Sequence, residues 1–259
     1  MFFVTSKFTY YIKDEAGVKY PCVIPDTNGI LSLIKKHLIG TKSLLVVAND
    51  PQDFAINDLV ASNLSKACEM TNLRFDEVKV LDHRTMGQAK NLIKNADLIY
   101  MCGGEILRQL TFLQNINFKN LIENYNGVVV TVSAASMCLT KTICNFPEHE
   151  KEINQPRIVD GLGFIDLKII PHFDAENLVY QGTTEIPNLV EDYILPYSDN
   201  DKIYALPNGS YIMFDRKNIK FYEFIFDIIS ASFFNTVSAA STRILSSFSA
   251  TDFSSNAII

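Results

Sequence analysis

The sequence predicts an α/β fold, a three-layer sandwich with a largely parallel central sheet. Short apolar runs alternate with amphipathic segments through about the first two thirds of the chain, the pattern of repeated β-α-β units. The run Val128-Val129-Val130-Thr131-Val132 has the continuous apolar character of a buried strand. It ends at Ser133-Ala134-Ala135-Ser136, where small residues permit a sharp turn from strand to helix. With 259 residues the chain can bury a large core, and one α/β domain accounts for it better than two.

Strands are expected at Phe2–Thr5, Leu44–Ala48, Glu77–Leu81, Leu98–Cys102 and Val128–Val132, each a short apolar or alternating run. Between them, helices are expected at about Phe54–Met70, Met86–Lys94, Ile106–Leu113 and Lys119–Asn124. Asp53 and Thr85 are candidate caps, since their side-chain oxygens can accept from the free N–H groups at a helix start. After Ser133 the order changes. Asn145–Gln155 reads as a polar surface loop, Leu167–Ile170 as a strand and Glu185–Leu195 as a short helix. Ile203–Leu206, Tyr211–Phe214 and Ile219–Tyr222 read as short strands, with Pro207-Asn208-Gly209 as the turn between the first two. The domain so defined runs over residues 1–228. Residues 229–259 are rich in Ser, Ala and Phe, almost uncharged and without a clear period. They form either a hydrophobic strand and helix completing the sheet or a poorly ordered tail, and the composition favours the tail.

Hydrophobic residues make up 47% of the chain and charged residues 20%, as in a soluble globular protein. The net charge of −6 and the absence of a Lys/Arg cluster argue against nucleic acid or an anionic membrane as partner. Five cysteines, scattered and without Cys-x-x-Cys spacing, indicate reduced, mostly buried thiols and neither a zinc site nor a disulfide framework. The start, Met1-Phe2-Phe3-Val4-Thr5, has no basic region followed by a long apolar stretch, and no run is long enough to span a bilayer. A cytoplasmic location is therefore expected.

Ser133 at the end of its strand reads as a nucleophile elbow, in which the turn exposes one side chain and the helix N–H groups can hold an oxyanion. The usual Gly-x-Ser-x-Gly pattern has glycines where this chain has Thr131 and Ala135. An ordinary Ser cap between strand and helix is the alternative. A serine nucleophile needs a base. Of the four histidines, His172 follows the apolar run Leu167-Lys168-Ile169-Ile170-Pro171 and so belongs at a strand's carboxyl end, on the same sheet edge as Ser133. A half-buried loop histidine is the alternative there, while His37, His83 and His149 are expected at the surface. Gly103-Gly104 after Leu98–Cys102 could bring a backbone N–H beside that of Ala134 as a second oxyanion donor. Phosphate binding or a plain tight turn would equally use two glycines.

Taken in chain order, these pieces resemble the peptidase E family, which includes aspartyl dipeptidases and cyanophycinases. The resemblance is carried by Ala96-Asp97-Leu98-Ile99-Tyr100-Met101-Cys102-Gly103-Gly104, Val132-Ser133-Ala134-Ala135, Ile158-Val159-Asp160-Gly161-Leu162-Gly163, Ile170-Pro171-His172-Phe173-Asp174 and Tyr204-Ala205-Leu206-Pro207-Asn208-Gly209-Ser210-Tyr211. It implies a class I glutamine amidotransferase-like fold. It also implies a serine-type hydrolase without metal or cofactor, acting on a short peptide or small amide, with a homodimer as an open option. In that family's scheme Ser133 attacks, His172 accepts its proton, and the N–H groups of Gly104 and Ala134 hold the oxyanion. Asn208 stands where relatives carry an acidic residue that orients the histidine, which leaves open a catalytically impaired relative that binds a small ligand in the same cleft. Asp174 is a candidate substitute partner, and Gly103, Glu105, Asp174 and Glu185 are candidate substrate contacts. Glu185 would meet a free α-amino group or else be a solvated first-turn glutamate. Aspartyl-specific relatives place an arginine after the histidine strand, where this chain reads Gly182-Thr183-Thr184-Glu185. True amidotransferases carry cysteine at the elbow, and Cys138 would lie inside the following helix.

Overall fold

In the computed structural model, which describes residues 1–147, 149–174, 179–180, 186, 189–197, 202–222 and 226–228, the chain opens with a fully buried strand, β1 (Phe2–Thr5). A hairpin of β2 (Tyr11–Lys13) and β3 (Lys19–Pro21) follows, then helix α1 (Ile30–His37). The alternating units come next: β4 (Ser43–Val47), α2 (Phe54–Met70), β5 (Glu77–Leu81), α3 (Ala89–Asn95), β6 (Leu98–Met101), α4 (Ile106–Asn115), α5 (Phe118–Ile122), β7 (Val128–Val132) and α6 (Ala134–Cys138). Strands dominate the remainder. β8 (Thr142–Cys144) pairs with β9 (Ile158–Asp160), and β10 (Lys168–Asp174), β11 (Val179–Tyr180), β12 (Ile203–Pro207), β13 (Tyr211–Phe214), β14 (Ile219–Tyr222) and β15 (Phe226–Ile228) follow.

The central sheet has the order β14-β13-β1-β7-β6-β4-β5. Every pairing from β1 to β5 is parallel, whereas β13 runs antiparallel to both β1 and β14. Successive side chains of a strand point to opposite faces, and both faces here are covered. Phe2, Val4, Leu45, Val47, Ile99 and Val129 enter one core with residues of α3, α4, α5 and α6. Phe3, Leu44, Val46, Leu98, Tyr100 and Val130 enter the other with α1 and α2. Helices therefore flank the sheet on both sides, giving the three layers expected.

One part of the expectation is corrected. β10 and β12 do not join the central sheet but form a second one, ordered β11-β10-β12-β15, with a small core that includes Ile170, Phe173, Ile203 and Ala205. The strand expected over Leu167–Ile170 also continues to Asp174, so His172 lies inside β10 and not beyond its end. Three smaller expectations change as well. Thr85 does not cap a helix: its hydroxyl donates to the Val80 carbonyl and accepts from the Asp82 N–H. The Asn145–Gln155 loop contains a 3-10 turn at Glu150–Glu152, and Asn145 is buried, bonded to Gln155 and the Pro156 carbonyl. His37 and His149 are half-buried, and only His83 is fully at the surface. Of the expected helix at Glu185–Leu195, the described part is a π-helical turn at Val190–Ile194 followed by a 3-10 turn at Leu195–Tyr197. Glu185 and residues 229–259 lie outside the described residues. Among the described residues no helix is long and apolar enough to cross a membrane.

Candidate active site

β7 passes into α6 through a single residue, Ser133, whose φ of 51° and ψ of −114° are rarely adopted by a residue with a side chain. Such a conformation costs on the order of 1–3 kcal/mol and persists only where the surroundings enforce it. Here a set of hydrogen bonds does so. The Thr5 carbonyl accepts from Ser133 N–H at 3.0 Å and from Ser136 Oγ at 2.8 Å, and Ser136 Oγ lies 2.8 Å from Thr131 Oγ1. Thr131, where a glycine was the usual expectation, is thus bonded beneath the turn.

The loop after β6 packs against this turn. A Cβ on Gly103 would lie 2.9 Å from the Val132 carbonyl oxygen and 3.1 Å from Ser133 Cβ, so glycine permits the approach. Gly104 has φ of 152° and sits against the Asn49 amide, which a Cβ would meet at 2.3 Å. That amide pins the loop in both directions: Asn49 Nδ2 donates to the Glu105 carbonyl at 3.1 Å, and Glu105 N–H donates to Asn49 Oδ1 at 3.0 Å. Gly104, Ser133 and Ala134 line one cleft.

His172 occupies a bulge in β10. Its neighbours pair with consecutive residues of β12, Pro171 with Leu206 and Phe173 with Pro207, which leaves His172 unmatched at φ of 61°. The extra residue turns the imidazole out of the strand towards Ser133. His172 Nε2 lies 2.9 Å from Ser133 Oγ, and Nδ1 lies 2.9 Å from Asn208 Oδ1. Asn208 immediately follows β12, so the pairing of β10 with β12 brings it beside the bulge. An amide oxygen only accepts; Nδ1 therefore carries the ring hydrogen, and the Nε2 lone pair faces the serine hydroxyl. Ser6, wholly buried just after β1, joins these groups: its hydroxyl accepts from His172 N–H at 2.7 Å and donates to Asn208 Oδ1 at 3.2 Å.

The structure thus brings Ser133, His172 and Asn208 into contact and sets Gly103, Gly104 and Ala134 around the serine. It assigns Glu105 differently from the expected substrate contact. The carboxylate caps α4, accepting from Leu107 N–H and Arg108 N–H at 2.9 Å each. Asp174 ends β10, and its backbone pairs with Val179. Ser6 and Asn49 escaped the sequence reading; their only signal is a polar residue one or two positions after a buried strand. Desolvation pushes the Cys102 and Cys138 thiols up to about 12, so neither is a thiolate near neutral pH. Among the described residues no group of three or more His, Cys, Asp or Glu side chains could hold a metal ion.

Comparison with known proteins places this geometry in context. The sequence model of peptidase family S51 matches residues 57–222. No curated protein matches the sequence. Among solved structures, a protein of Listeria monocytogenes EGD-e described as a peptidase E is similar, with 17% identity and a TM-score of 0.55 over 86% of this chain and 98% of that one. At that identity the likeness shows a shared fold alone.

Proposed function

The chain belongs to peptidase family S51, and from that premise we propose that this serine hydrolase cleaves short peptides or small amides through an acyl-enzyme on Ser133. The observation that carries the reading is the 2.9 Å contact between Ser133 Oγ and His172 Nε2, the geometry a nucleophile and its base need. Ser133 Oγ attacks the carbonyl carbon while Nε2 takes its proton, and the tetrahedral oxyanion lies against the N–H groups of Gly104 and Ala134. His172 then protonates the departing amine. Water, activated by the same imidazole, releases the acid and restores the hydroxyl. Nothing in this scheme requires a metal or organic cofactor. The acidic chain with reduced thiols suits the cytoplasm.

Asn208 orients the imidazole in the tautomer the reaction needs but brings no negative charge to the imidazolium. A carboxylate there would stabilise the imidazolium, and the amide does so only weakly. The same residue favours a second reading, a weakly catalytic relative that holds a small ligand in the cleft. A fluorophosphonate probe followed by mass spectrometry separates the two. Labelling of Ser133 that disappears in His172→Ala supports catalysis, and folded protein that takes no label leaves only the binding role.

A further inference from the structure

Beside Ser133 lies a small cleft open to solvent. Besides Gly104, Ser133 and Ala134, its walls include Met137, Cys144, Phe146, Ile170, Leu189 and Ile194, and none of the described residues lining it is charged. The sequence is equally one-sided there. Residues 169–201, which contain Ile170, Leu189 and Ile194, hold no Lys or Arg and seven Asp or Glu. Arg108, two residues beyond the cleft-lining Ile106 on α4, is already engaged: its guanidinium pairs with Asp50 and stands 3.6 Å from the Glu105 carboxylate.

We propose that this cleft is the acyl pocket and that it selects a neutral, apolar side chain next to the attacked carbonyl, to the exclusion of aspartyl and glutamyl groups. The proposal rests on the reading of Ser133 as nucleophile. In the acyl-enzyme the carbonyl carbon is bonded to Oγ, and its substituent must occupy space bordered by both Ser133 and the oxyanion donors, which describes this cleft. A carboxylate carried into it would lose hydration and find no cation among the described residues that line it. An aliphatic or thioether side chain loses only its contact with water, which is favourable.

The test compares rates of Ser133 labelling by two fluorophosphonates of equal reach, one bearing an isobutyl group and one a carboxyethyl group. Phosphorus takes the place of the carbonyl carbon: the Oγ–P bond forms as P–F breaks, fluoride departs, and His172 takes the hydroxyl proton, so no turnover is needed. The isobutyl reagent is expected to label faster by at least about tenfold. In Phe146→Lys, checked for folding by circular dichroism, the added cation should bring the ratio towards unity. Equal or faster labelling by the carboxyethyl reagent in the natural chain, or an unchanged ratio in the folded variant, overturns the pocket assignment and leaves the nucleophile standing. Failure of both reagents to label folded protein overturns the hydrolase reading and this inference with it.

Discussion

Position 208 holds the group that touches His172 Nδ1, and an amide there meets the requirement of geometry without that of charge. Asn208→Asp should therefore raise kcat by about tenfold or more, because a charge-assisted hydrogen bond from Nδ1–H is roughly twice as strong and stabilises the imidazolium formed in the proposed attack by Ser133. Steady-state hydrolysis of short peptides checks it, and an unchanged rate would show that the Nδ1 partner does not limit turnover. Ser6 acts one step further back. Ser6→Ala leaves the His172 N–H without its 2.7 Å acceptor and removes the Ser6 hydroxyl from Asn208 Oδ1, which keeps its contact with His172 Nδ1. Stability should fall by about 1–3 kcal/mol in urea titration. The displaced imidazole should lower kcat by up to about 10²-fold with KM little changed, and Ser6→Thr should recover part of it. A loss of stability at constant kcat would make Ser6 a folding residue only.

At the level of elements, the loop after β6 and the turn after β7 function as a pair. Gly103→Ala inserts a methyl group 2.9 Å from the Val132 carbonyl and must push the two apart. Activity should collapse while thermal unfolding shows a loss of only about 1–3 kcal/mol. Retained activity would mean that the turn tolerates the shift. The elements of this site differ in how plainly the chain announces them. β1, β5, β7, β13, β14 and α2 occupy the very residues expected: β1, β7 and β13 are largely buried and read as apolar runs, β5 alternates between exposed and more buried residues, and α2 starts at a real cap, Asp53, which accepts from Ile56 N–H. α1 went unrecognised: it begins after Gly29 at φ of 76°, without a capping side chain, and has only eight residues. The exposed β2–β3 hairpin is too short to show a period. Ser133 and His172 could be picked out by type and position. The bulge that aims the histidine, and the second sheet that carries it, could not, because periodicity marks a strand without naming its neighbour.

For the whole molecule, the buried acids of high pKa set an alkaline limit. Burial pushes the Cys68 and Cys138 thiols from an ordinary 9.0 up to about 12. The folded chain keeps those protons where the unfolded chain releases them, so their contribution is complete below about pH 9 and is lost between about pH 9 and 12. Each such group lowers stability by about 1.4 kcal/mol per pH unit in that window. Urea midpoints measured at about pH 8 and about pH 10.5 should show the decline, and Cys68→Ala should flatten it; equal midpoints would contradict the assignment. The separation of the site between two sheets has an effect of its own. Ser133 is anchored to one sheet, while His172 and Asn208 ride on the other. A slight parting of the two sheets would break the contact between Ser133 Oγ and His172 Nε2 while every strand stayed intact, so the proposed chemistry depends on their mutual seating.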